Sequence, residues 1–111
     1  LEMLRGKLDV LRDHCETYGT DFDAIEKSWF ARCVIRETEA EVEELLDAIP
    51  RFRPENFEDD EFHLVGTPDQ VAADIERYRE AGFEEIVLEF VDFPDTTGPE
   101  LFAEEVAPQF D

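Results

Sequence analysis

Few stretches of the chain carry residue types at a spacing that supports chemistry. The clearest is LVGTPDQVAADI, residues 64–75, where a glycine and a threonine stand directly before a run of helical periodicity. A helix amino terminus can hold a phosphate, because its free backbone N–H groups and its dipole both favour an anion. A Walker-type loop, however, needs a second glycine followed by Lys and Ser or Thr, and a dinucleotide loop needs three glycines after a strand. Residues 64–75 have one glycine and no lysine, and Asp69 places its own negative charge in the first turn. The same residues read more simply as a helix start, with Thr67 as N-cap, Pro68 as the first helical residue and Gln70 as the capping-box partner.

The other reactive side chains are sparse. Cys15 and Cys33 sit in apolar patterns, with no CxxC spacing, no His pair beside them and no secretory segment ahead of them. They read as two reduced core thiols of a cytoplasmic protein. His14 falls on the polar side of the first helical run and His63 in an acidic loop, so the sequence shows no partner for either in metal binding or acid–base work, and no metal site is expected.

Asp and Glu number 31 against 10 Lys and Arg, a formal net charge of -21. Such a field repels nucleic acid and anionic lipid, so neither is expected as a partner, and no apolar run is long enough to span a bilayer. Yet 42% of the residues are hydrophobic and 12% aromatic, in periodic runs, which points to a folded core with the charge on its surface. Lys7 and Lys27 are the only lysines. A folded surface this acidic and this poor in lysine reads as halophilic, adapted to concentrated salt, where counterions screen the self-repulsion. At 111 residues the chain is one domain at most.

The periodicity lays out the elements. Leu4, Leu8, Leu11 and Cys15 form one stripe of a helix that Gly19 stops. TDFDAIEKS is a capped single turn, and WFARCVIR, residues 29–36, reads as a strand covered on both faces. Thr38 and Glu41 form a capping box ahead of a helix that ends before Pro50. Residues 50–63 read as a loop anchored by Phe52, Phe57 and Phe62. The Thr67 helix buries Val71, Ile75 and Tyr78 and ends at Gly82. EEIVLEFV, residues 84–91, is the second strand, and Pro99 starts a last helix. Two buried strands separated by helices predict a parallel α/β unit, with a right-handed crossover through the helix at 68–81.

VGTPDQVAADIERYREAGFEEIVLEF, with FPDTTGPELFAEEVAP after it and IEKSWFARCVIRETEAEVEELL before it, resembles the carboxyl-terminal third of the luciferase-like monooxygenases, the flavin- or deazaflavin-dependent oxidoreductases related to bacterial luciferase. The resemblance spans nearly all of the chain, and its most specific parts are Gly66-Thr67-Pro68, the Gly82 stop with a strand behind it, and the closing LFAEEVAP. It implies a fragment of a TIM-type β/α barrel, with residues 29–36 as the seventh strand and 84–91 as the eighth. A full barrel takes about 250 residues, so the first six strands, where the family makes most of its flavin and catalytic contacts, lie elsewhere. No residue here takes a catalytic or cofactor-binding role by match, and no cofactor is expected on this segment alone.

Two readings of function stay open. One is the terminal part of such an oxidoreductase, inactive alone. The other is a non-catalytic module from a truncated or split gene that self-associates, because two strands cannot cover their own faces. Its partners are then another copy, as a homodimer or larger homo-oligomer, or the missing barrel portion.

Barrel logic places function at the carboxyl ends of the strands, at Arg36 and Glu37 and at Phe90 to Asp95. Asp92 and Asp95 also read as turn or capping residues, and Phe93 and Pro94 as rim packing. Inside the strands, alternation sets Arg32 and Glu89 opposite the helix-facing Ala31, Cys33, Ile35, Ile86, Leu88 and Phe90. An unpaired charge on an enclosed face costs several kcal/mol, so the two are expected to pair, or else to point to solvent where the barrel is missing. Arg32, Arg36, Glu89, Asp92 and Phe93 are therefore the substrate-side candidates.

With a net charge of -21, we expect the melting temperature to rise between 0.1 and 1 M salt, as the Debye length falls from about 10 Å to about 3 Å. A salt-independent melting temperature in calorimetry would contradict this.

Overall fold

The computed structural model describes residues 2–53, 63–92 and 94–110. Helix α1 (Glu2–Tyr18) buries Leu4, Leu8 and Cys15 along its expected stripe, and Gly19 ends it at φ 73°. A 3-10 turn, Phe22–Ala24, follows, its Asp21 carboxylate accepting from the Asp23 N–H. Lys27 is buried just beyond. Its Nζ donates to the Phe22 carbonyl at 2.8 Å, lies 4.1 Å from the centre of the Phe22 ring and sits 3.8 Å from Glu84. The Lys27 carbonyl accepts from the N–H groups of Glu84 and Glu85 at 2.8 and 3.2 Å, which fastens together the starts of the two long strands.

The remaining elements are β1 (Ser28–Ile35), α2 (Glu39–Ala48), β2 (His63–Gly66), α3 (Pro68–Ala81), β3 (Glu85–Phe90) and α4 (Thr97–Glu105). All three strands are parallel, in the order β2-β1-β3. The registers run from Arg32↔His63 to Ile35↔Gly66 on one edge of β1, and from Ser28↔Glu85 to Cys33↔Phe90 on the other. The architecture is the expected α/β one, an open parallel sheet flanked by helices, as in a fragment of a β/α barrel.

The two strands expected from sequence are adjacent and parallel, and β2 is added to them. His63 opens β2 as a buried residue and does not lie in an acidic loop. Four residues are too few for alternation to register, and the glycine that closes β2 also begins the helix-start motif. The chain between β1 and β3 thus runs through α2, β2 and α3. Of the expected anchors, Phe57, Phe62 and the side chain of Phe52 lie outside the described residues. The backbone of Phe52 closes a 3-10 turn, Pro50–Phe52, and Arg53 beyond it reaches back to Glu43 at 3.3 Å and to Asp47 on α2.

Side-chain alternation along β1 divides the interior. Trp29, Ala31, Cys33 and Ile35 join Leu64 and the apolar faces of α3 and α4 in the main core, with Leu4 of α1. Ile86, Leu88 and Phe90 of β3 pack against the same core, as the sequence pattern required. On the opposite face, Val34 packs with Val42 and Leu46 of α2, and with Val65 and Val91. That cover reaches only the carboxyl end of β1. Towards the amino end, Phe30 and Val87 remain 39% and 48% exposed, so β1 is covered fully on one face and partly on the other.

The starts of α2 and α3 follow their sequence signals with one adjustment. Thr38 Oγ1 accepts from the Glu41 N–H at 3.2 Å and donates to the Glu41 carboxylate at 3.1 Å, so that Glu41 engages the Thr38 hydroxyl in place of its backbone. At α3, Gln70 Oε1 accepts from the Thr67 N–H at 3.0 Å, while Gln70 Nε2 donates to Glu39 at 2.8 Å and ties α3 to α2. Gln70 occupies the space beside Gly66, which has φ 151°, and a Cβ there would lie 2.9 Å from Gln70 Cβ. We expect Gly66→Ala to cost about 1 kcal/mol or more, through both the backbone conformation and the displaced amide. The measurement is the urea midpoint at unchanged m-value, and an unshifted midpoint would contradict the assignment.

Candidate functional site

Arg36 follows directly on β1, and its guanidinium turns back across the carboxyl ends of the strands. Nη1 donates to the Ile35 carbonyl at 2.8 Å, while Nη2 lies 3.0 Å from Asp92 Oδ2 and 3.9 Å from Asp95 Oδ2. The Asp92 side chain is 4% exposed and that of Arg36 12%, so this ion pair is shielded from water. Asp92 Oδ2 also accepts from the Gly98 N–H at 3.0 Å. A Cβ on Gly98 would stand 2.9 and 3.0 Å from the two carboxylate oxygens, so glycine is what lets α4 begin this close to Asp92. The arrangement is a clasp that joins the end of β1, the turn after β3 and the first turn of α4.

Asp95 finishes the turn. Its Oδ1 accepts from the Thr97 hydroxyl at 2.6 Å and the Thr97 N–H at 2.9 Å, and these bonds start α4 at Thr97, two residues before Pro99. Those bonds, with Arg36 nearby, hold the Asp95 carboxyl below the usual carboxylate range. The turn and capping reading of Asp92 and Asp95 accordingly describes their geometry. Phe93 lies outside the described residues.

A second group crosses the middle of the sheet. Arg32 and Glu89 are register partners on β1 and β3, and Arg32 Nε lies 3.5 Å from Glu89 Oε1. The pair is on the face opposite the main core, as alternation predicts, and both side chains are part-exposed. The Arg32 guanidinium lies 5.5 Å from the centre of the Phe30 ring. His63 is the register partner of Arg32 on β2, so His63, Arg32 and Glu89 form one polar row across all three strands. Sequence reading missed His63 because it missed β2. The signal was the short apolar run Leu64-Val65 before Gly66. Arg32 and Arg36 point to the same side of β1 but are separated by about 13 Å at the usual strand rise, so the row and the clasp are distinct groups.

Cys33 faces the main core, and burial, reinforced by the Asp92 carboxylate, pushes its thiol up to about 12. It is no nucleophile at neutral pH. Among the described residues no cluster of three or more His, Cys, Asp or Glu is arranged to hold a metal ion.

The start of α3 is closed by Gln70 and carries Asp69, the geometry of the helix cap read from the sequence. Among the described residues, two cavities open near the strand carboxyl ends. One, of about 350 Å³, is lined by Glu37, Thr67, Pro68, Asp69, Leu101 and Glu105. The other, of about 190 Å³, sets Arg36 among Glu37, Glu41, Glu100 and Glu104. So many carboxylates repel an anion, and these residues do not fit the phosphate of a flavin cofactor.

No family model matches the sequence, and no curated protein matches it. Among solved structures the chain is similar to the monooxygenase RslO1 from Streptomyces bottropensis, at 23% identity and a TM-score of 0.69. The likeness covers 99% of this chain and 39% of that one, so the chain spans about two fifths of the length of RslO1. At this identity the likeness establishes a shared fold.

The two ion pairs differ in burial and should differ in worth. We expect Asp92→Ala to cost about 1–3 kcal/mol, since it leaves the Gly98 N–H without its acceptor and takes from Arg36 its shielded partner, with Asp95 remaining at 3.9 Å. Glu89→Ala, at the part-exposed pair, should cost about 0.2–1 kcal/mol. Urea unfolding of both variants in molar salt measures the contrast, and equal losses would contradict it.

Proposed function

We propose that the chain is the carboxyl-terminal part of a monooxygenase of the luciferase-like kind, a flavin- or deazaflavin-dependent oxidoreductase. The observation that carries this reading is the fold match to a monooxygenase over 99% of the chain but only 39% of the neighbour. The sequence resemblance quoted above points the same way. When bound, a flavin or deazaflavin supplies the redox chemistry.

In this reading the residues of the chain have supporting roles. The Arg36–Asp92 clasp fixes the turn after β3 at the strand carboxyl ends, where β/α barrels place their sites. Phe30, Arg32, Val87 and Glu89 form a wall facing the barrel interior. Among the described residues the acid-lined cavities offer no phosphate site, so in this reading the cofactor's phosphate is held by other stretches of polypeptide, and no catalytic step is assigned to these residues. The reduced, buried cysteines fit a cytoplasmic setting. Among the described residues no helix is long and apolar enough to cross a membrane.

A second reading, a self-associating module without catalysis, draws on the exposure of Phe30 and Val87 in the middle of a sheet face. The test compares this chain alone with the whole polypeptide encoded by its source gene, each titrated with flavin mononucleotide and with a deazaflavin in molar salt. We expect the whole polypeptide to bind one of the two and the chain alone to bind neither. A source polypeptide no longer than this chain, dimeric by light scattering, would favour the second reading. A longer one that binds neither cofactor would sink the first.

A further inference from the structure

At the opposite end of the sheet from the clasp, a cavity of about 450 Å³ lies against the amino ends of β1 and β3, within the size range of small-molecule sites. Its walls include Trp29, Ile75, Phe83, Ile86 and Phe110, with the exposed Arg79 among the lining residues. The indole of Trp29 is held in place by the Tyr78 ring, stacked at 3.9 Å with an interplanar angle of 8°, and by Phe83 at 6.2 Å. Trp29 is 5% exposed, and its Nε1–H, enclosed within the wall, meets no acceptor among the described residues. A buried donor without an acceptor is a standing cost to the fold, and a bound acceptor recovers it.

We infer that this cavity binds a small uncharged aromatic compound that carries a hydrogen-bond acceptor, taken up between the aromatic walls with its acceptor on the Trp29 N–H. The stacked indole, Phe83 and Phe110 supply flat apolar surface for a ring. An anion is disfavoured by Glu84 and Glu85, which line the same cavity, and by the net charge of -21. An ammonium ion has no acceptor to offer the indole. A neutral aromatic ketone or amide meets every condition. The N–H lies behind the wall, so a small shift of the indole is needed to admit the acceptor, and the new hydrogen bond more than offsets its cost.

Trp29 is the single tryptophan, so the indole region of a nitrogen-15 spectrum contains one N–H signal. The probes are acetophenone and ethylbenzene, the second matching the first but lacking the carbonyl. We expect acetophenone to move the Trp29 signal downfield and saturably, and to bind about two- to tenfold more tightly than ethylbenzene, as one net hydrogen bond implies. Ile86→Phe, which crowds one wall of the cavity, should weaken acetophenone binding in a chain whose circular dichroism is unchanged. No saturable shift up to the solubility limit, equal affinity of the two probes, or unaltered acetophenone affinity in folded Ile86→Phe would each overturn the assignment. Should Ile86→Phe fail to fold, the comparison of the two probes on the unaltered chain decides.

Discussion

Because β1 hydrogen-bonds to β2 along one edge and to β3 along the other, its backbone groups are satisfied only while both neighbours hold their register. A parallel pair cannot be closed by a tight turn, so each neighbour arrives through a helix, and each helix has to lie on a face of the sheet. Cover follows from this. The main core fills the face that carries Trp29, Ala31, Cys33 and Ile35, and α2 closes the carboxyl half of the other. Lys27 and the Arg36–Asp92 clasp fasten the two ends of the β1–β3 pair, one by its backbone carbonyl and the other by a shielded charge. What stays open, the strip with Phe30 and Val87, is the part of the sheet that no described element reaches.

Sequence made some of this legible and hid the rest, for physical reasons. Period-3.6 and period-2 patterns are local, so α1, α3, β1 and β3 could be read directly, and alternation alone put Arg32 and Glu89 on the face away from the core. β2 escaped because a short strand buried by its neighbours carries no local period, and His63 escaped with it. The clasp was half visible. Asp92 and Asp95 read as turn formers, but nothing near Asp92 in the chain indicates Arg36 or the requirement for glycine at position 98, since both arise only when β1 and β3 lie side by side.

The surface charge has little internal compensation. Arg5, Arg12, Arg77 and Arg79 each pair with an acid three residues earlier on their own helix, and such exposed pairs contribute only tenths of a kcal/mol. Acids outnumber the cations available to them, 31 to 10. The fold therefore relies on its apolar core and on dissolved counterions. The same imbalance shapes the cavities at the strand carboxyl ends, where Arg36 is outnumbered by glutamates. A phosphate-bearing cofactor held against this end of the sheet needs its cations from a different stretch of polypeptide.

The burial of Lys27 changes how the molecule meets amine chemistry. One of its two lysines has its ammonium group tucked beneath the Phe22 ring and spent on a carbonyl, while Lys7 stands exposed on α1. An acylating enzyme, an aldehyde or an ester-activated crosslinker approaching the folded surface therefore has one lysine side chain to react with, at Lys7, on the first helix. Within this chain, labels, tethers and acyl marks directed at lysine side chains go to one known place. Ordinary proteins, with lysines scattered over every face, carry a mixture.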